Sequence, residues 1–165
     1  MIKQYLMSAV LGVCSANVVA EDCLSVLGTY LTTKTDTSGI DKGMVGRTIL
    51  SLAPGGFATM TDSAQGGIQG YQAFGMMQGS WNCSTGQDER TAVAVTLLDF
   101  SYPSEANPNA KVALVSIAGS VDAETGDIRG KTGVRLYPID IDPFSNTKPD
   151  LEVGYTFEGR RLPNP

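Results

Sequence analysis

The 165-residue chain contains no histidine, and that absence decides which of its reactive side chains could act together. Ser-His-Asp and Cys-His nucleophilic catalysis both need an imidazole. The usual zinc, copper and non-haem iron sites lean on it too, as does pH switching near neutrality. Carboxylate chemistry, lysine chemistry, hard-cation binding and plain ligand binding remain. Asp140-Ile141-Asp142 sets two carboxylates on one face of an extended segment with Asn146 nearby. Calcium takes several oxygen ligands, but the glycine and distal glutamate of a calcium loop are missing at the right spacing. A solvated acidic loop is the expectation there, and no metal site or cofactor is expected. Thr61-Asp62-Ser63 places a carboxylate between hydroxyls. It could orient a ligand or act as a base, and it also suits an Asx-type turn held by side-chain to backbone bonds. No catalytic residues are assigned.

Residues 66–79 are the most suggestive of binding. Tyr71, Phe74, Met76 and Met77 put aromatic and thioether side chains into a glycine-rich stretch. Methionine surfaces repack readily around apolar ligands, so these four are the expected ligand-binding residues, as a lid over an apolar site. The same four side chains would serve equally well as a plug in the core.

The N-terminus reads as a secretory signal. Lys3 supplies the positive charge, residues 5–13 the short apolar core, and Asn17-Val18-Val19-Ala20 the polar break and small residues before cleavage after Ala20. The apolar run falls short of the ~20 residues a bilayer span requires. Leu11-Gly12-Val13-Cys14 has the outline of a lipoprotein signal, but Val13 stands where glycine, alanine or serine is wanted. The expectation is therefore residues 1–20 as a cleaved signal peptide, residues 21–165 as one domain, and a periplasmic or secreted location. Cys23 and Cys83 remain after cleavage. In an exported chain an isolated pair most simply forms a disulfide; two free thiols are the alternative. Seventeen acidic against twelve basic residues, with no basic cluster, repel phosphate backbones, so nucleic acid is not an expected partner. No later segment is apolar enough to span a membrane.

The elements that must position these residues are short and β-rich. Nineteen glycines are spread along the chain, with β-formers between them, and no dozen-residue segment after the signal has clean helical periodicity. Eight runs read as strands: 27–33, 47–53, 57–61, 78–83, 91–101, 111–121, 128–137 and 151–162. Leu151, Val153, Tyr155 and Phe157 alternate with Glu152, Gly154, Thr156 and Glu158, the mark of a half-buried strand. Pro54-Gly55-Gly56 and residues 122–127 read as tight turns, and residues 22–26 as one helical turn. Eight strands joined in sequence predict an all-β fold, an antiparallel up-and-down barrel; a β-sandwich is the competing architecture. Ala92, Ala94, Ala113 and Gly119 are expected on inward faces.

Gly28-Thr29-Tyr30 opens the first strand, Gly79-Ser80-Trp81 recurs in the fourth, and Gly159-Arg160-Arg161 ends the last. The pattern resembles the lipocalin and wider calycin superfamily, whose members carry Gly-x-Trp on the first strand and often a late arginine packed over that aromatic. Here Tyr30 stands in place of tryptophan, and a Cys23–Cys83 bridge departs from the family's usual one. The resemblance implies a barrel and gives Tyr30, Trp81 and Arg160 structural roles at its base; fold alone does not fix function. The functional expectation is an exported, non-catalytic barrel binding a small apolar or amphipathic molecule. A filled barrel acting through its surface is the alternative, and a carboxylate-dependent isomerase or cyclase comes last.

Overall fold

Period-two alternation and glycine-marked turns fold the chain into eight consecutive antiparallel strands in the computed structural model, which describes residues 21–38, 42–67, 72–85 and 90–163. The expected signal peptide, including Cys14, lies outside the described residues, and so does Tyr71. A 3-10 helix, Glu21–Val26, leads into β1 (Gly28–Asp36). Then come β2 (Val45–Ala53), β3 (Phe57–Asp62), β4 (Met77–Thr85) and β5 (Arg90–Phe100). The chain finishes with β6 (Lys111–Asp122), β7 (Asp127–Pro138) and β8 (Leu151–Arg161).

Each strand pairs with its sequence neighbours, and β8 returns to β1 in register from Tyr30↔Arg161 to Asp36↔Tyr155. The sheet is therefore a closed up-and-down barrel, not a sandwich. Closure leaves no unpaired edge for another chain to extend. It also sorts the connections. Those at one end, residues 54–56, 86–89 and 123–126, are short. Those at the other, residues 37–44, 63–76, 101–110 and 139–150, are longer. The first end is the base and the second the mouth.

Two glycines at the base are required by close approaches. Gly28 has φ +142°, and the Arg161 stem lies 3.1 Å from where its Cβ would stand. A Cβ on Gly79 would fall 2.0 Å from the Thr96 carbonyl oxygen, so β4 and β5 could not pair as they do with any other residue there. Above Gly28 the Tyr30 hydroxyl donates to the Val26 carbonyl (2.7 Å), and the Arg161 guanidinium lies over the Tyr30 ring at 5.6 Å. Arg161 also donates to the Tyr30 hydroxyl (3.2 Å) and to the Ser25 carbonyl. Burial pushes the Tyr30 pKa up, and Arg161 opposes that shift. The stacked arginine is thus Arg161. Arg160, expected in that role, alternates to the outside and is exposed. Trp81 closes the other side of the base, its indole N–H donating to the Ala53 carbonyl (2.8 Å). Cys23 and Cys83 are joined in a disulfide with Cα atoms 5.9 Å apart, fastening the 3-10 helix beneath β4.

The main core lies inside the barrel and holds Leu50, Leu52, Val93, Val95, Leu97, Val115, Ile117 and Phe157. A second cluster lies outside the sheet wall. Val112, Leu114 and Tyr137 are buried there with Leu98 and Ile141 against them, under the 139–150 connection. Of the four small residues expected inside, Ala92 and Ala94 face outward, because Val93 and Val95 take the inward phase of β5. No described helix is long and apolar enough to cross a membrane.

Candidate functional site

The barrel is filled at its base and hollow towards its mouth. Leu50, Met60, Met77, Val115, Ile117, Val134, Val153 and Phe157 form apolar walls around a cavity of about 140 Å³. These side chains converge because each sits on the inward phase of its strand: Leu50↔Met60↔Met77 run across β2, β3 and β4, and Val115↔Val134↔Val153 across β6, β7 and β8.

The upper walls are polar. Lys34, Thr32, Thr48, Asp62, Asp99, Gln72 and Ser101 line the same cavity. Lys34 forms an ion pair with Asp62, the two side chains being only 13% and 4% exposed. Its ammonium also lies over the Tyr155 ring, 4.5 Å from the centroid. Asp62 forms the Asx-type turn that its sequence context allowed, and it also holds Lys34. One carboxylate oxygen accepts from the Ala64 N–H (2.9 Å), making the Asx-type turn, and the other faces Lys34. Thr32 and Thr48 share a buried hydrogen bond across β1 and β2.

Asp99 is 6% exposed. Its Oδ1 accepts from the backbone N–H of Phe100 (2.7 Å) and of Gly75 (3.1 Å), while its buried Oδ2 has no hydrogen-bond partner. Desolvation raises the Asp99 pKa against the pull of those two N–H donors. The folded protein therefore holds this proton more tightly than the unfolded chain does. Protonated Asp99 favours folding below the ordinary carboxylate range, and that contribution is lost as pH rises through the raised value. Asp99→Asn keeps the Oδ1 acceptor and removes the charge. It is expected to be more stable than the parent at pH 7 and to lose that advantage by pH 3, as measured by denaturant unfolding at both pH values. A variant less stable than the parent at pH 7 would mean that the folded state compensates the charge.

The segment expected to contact ligand is divided by its own strand geometry. Met77 opens β4 facing inward, is 5% exposed and lines the cavity. Met76, its neighbour, points away and is 48% exposed. Phe74 lines the cavity and packs against the core. It also forms an isolated bridge to Ser101. The segment is strapped to the connection that follows the neighbouring strand β5: the Tyr102 N–H donates to the Ala73 carbonyl (2.7 Å), Gln72 donates to the Asn107 carbonyl (2.7 Å), and the Ser101 hydroxyl donates to Gln72 Oε1 (3.0 Å). Phe74 and Met77 are thus part of the cavity wall.

Lys34 and Asp99 were missed by sequence reasoning. For Asp99 the signal existed, since Val93, Val95 and Leu97 alternate directly into it. Asp140 and Asp142 remain on the exposed 139–150 connection, where Asp142 Oδ1 accepts from the Phe144 N–H (2.9 Å). No group of three or more histidine, cysteine, aspartate or glutamate side chains gathers among the described residues.

The class these features define is an eight-stranded up-and-down barrel with a sealed, disulfide-fastened base and an amphipathic cavity under its mouth. Comparison with protein-family models, curated proteins and solved structures yields no match to this chain.

Proposed function

We propose that the protein is an exported, non-catalytic barrel that holds a small apolar or amphipathic molecule in this cavity. The observation that carries the reading is the cavity itself. A barrel of eight strands is wide enough either to be filled by side chains or to hold one small ligand. Here the base is filled, while about 140 Å³ above it is walled mainly by aliphatic, thioether and aromatic groups. A dry apolar cavity of roughly 150 Å³ accepts a molecule the size of benzene. The signal-like first twenty residues and the Cys23–Cys83 bridge support export.

Native mass spectrometry of the protein from its own host, repeated after denaturation, tests this. Added mass that disappears on denaturation is the expected result. Ala113 lines the cavity, and Ala113→Phe drives a ring into it. The variant is expected to stay folded at a cost of about 1–3 kcal/mol for overpacking and to lose the added mass. A parent without added mass, and without uptake of small aromatic molecules in solution, would exclude the ligand-holding reading.

A carboxylate-dependent isomerase or cyclase is the second reading. It is favoured by Asp99, a buried acid of raised pKa on a cavity wall. It ranks lower because Asp62, the other carboxylate there, is already committed to Lys34.

A further inference from the structure

The polar wall of the cavity is unbalanced in charge, and the imbalance selects a ligand class. Among the described residues lining the cavity, the ionic side chains are Lys34, Asp62 and Asp99. Lys34 and Asp62 satisfy one another. Asp99 has no cation, and its Oδ2 is buried with no hydrogen bond while Oδ1 is saturated by two backbone N–H groups. A third buried carboxylate, Asp36, stands near the same end of β1 with its own Oδ2 unpartnered, although it does not line the cavity. A buried carboxylate is costly unless it is paired and hydrogen-bonded. The missing partner at Asp99 is therefore a hydrogen-bond donor, and preferably a positive one.

We propose that the cavity takes a small primary amine, its apolar body among Met60, Met77, Val115 and Phe157 and its ammonium at the Asp99 carboxylate. This assignment rests on the ligand-holding reading above and adds the chemistry of the ligand head. The rest of the lining agrees. Phe74 also lines the cavity, and an aromatic side chain there attracts a cation. An anionic head, such as a fatty-acid carboxylate, would meet Asp62 and Asp99, and the one lysine available to it already holds Asp62. Like-charge contact of this kind is how a site rejects the wrong ligand. The cavity volume limits the body to about one ring or its aliphatic equivalent.

Four molecules that share a ring and differ in head group test the proposal: toluene, benzyl alcohol, benzylamine and benzoate. Each is titrated calorimetrically at pH 7 into the disulfide-intact protein freed of any carried ligand. The expected order is benzylamine at least tenfold tighter than benzyl alcohol and toluene, with no binding of benzoate. In Asp99→Asn the amine is expected to fall to the level of the alcohol while toluene is unchanged, which also shows the cavity intact. Toluene and benzylamine binding equally would overturn the head-group assignment and leave the cavity reading standing. Benzoate binding tightest would overturn it in favour of Lys34 as the anchor. Failure of all four to bind would overturn both readings. The comparison among the four on the parent protein does not depend on the variant folding.

Discussion

Replacing Cys23 and Cys83 together by serine is expected to lower the unfolding free energy by about 4 kcal/mol. The bridge closes a sequence separation of 60 residues, and chain entropy for a loop of that length gives about 4 kcal/mol at 25 °C. The loss falls on the base. The 3-10 helix Glu21–Val26 covers Tyr30 and touches β4 and β5. Without the bridge, the Tyr30 hydroxyl on the Val26 carbonyl and Arg161 on the Ser25 carbonyl still hold this cover. Guanidinium titration of the parent and the double serine variant measures the difference. A loss below about 1 kcal/mol would show that these contacts and the buried Val26 hold the base unaided, and that the entropy of the unfolded chain is constrained by other means. The same measurement on the reduced parent separates loss of the cross-link from the effect of introducing two serines.

The barrel was legible because its signals are local and repeated. Alternation along β8, turn chemistry at residues 54–56 and 122–127, and eight short β-rich runs are all readable from neighbouring residues alone. The site was legible only in part, and the failures share a cause. Strand phase sets every inward side chain, and a one-residue error inverts the set. In β5 the apolar Leu98 faces outward into the satellite cluster under residues 139–150. With Leu97 inside and Leu98 half-buried outside, the apolar pattern does not show which face is the core, and Ala92 and Ala94 were assigned to the interior in place of the phase that ends on Asp99. The same rule turns Met77, the first residue of β4, inward while its neighbour Met76 is left exposed, and it assigns the stacked arginine to Arg161. Lys34 was lost for a different reason. Strand β1 runs on to Asp36, yet its Thr-Lys-Thr-Asp ending resembles a loop in sequence. Only a partner on β3, far along the chain, gives that lysine an interior role.

That partnership has a measurable consequence. Lys34→Met is expected to destabilise the protein by about 3–5 kcal/mol, because it leaves the Asp62 carboxylate buried without its counter-ion. The loss should exceed what the methionine side chain recovers by filling the space of the lysine stem. Lys34→Met combined with Asp62→Asn is expected to return to within about 1 kcal/mol of the parent, since a buried ion pair as a unit adds little net stability over a neutral replacement. The asparagine still accepts from the Ala64 N–H, so the Asx turn survives and the comparison isolates the charge. Denaturant titration of both single variants and the double variant gives the coupling directly. If the double variant remained as unstable as Lys34→Met, the lysine would be contributing through Tyr155, over whose ring it lies, rather than through Asp62. Recovery in the double variant carries a further implication. Two ionic groups that add little to stability, beside an unpartnered Asp99 that detracts from it, are hard to account for as scaffold. They make sense on a cavity wall that must meet a polar group brought in from outside, with folding stability given up where binding is gained.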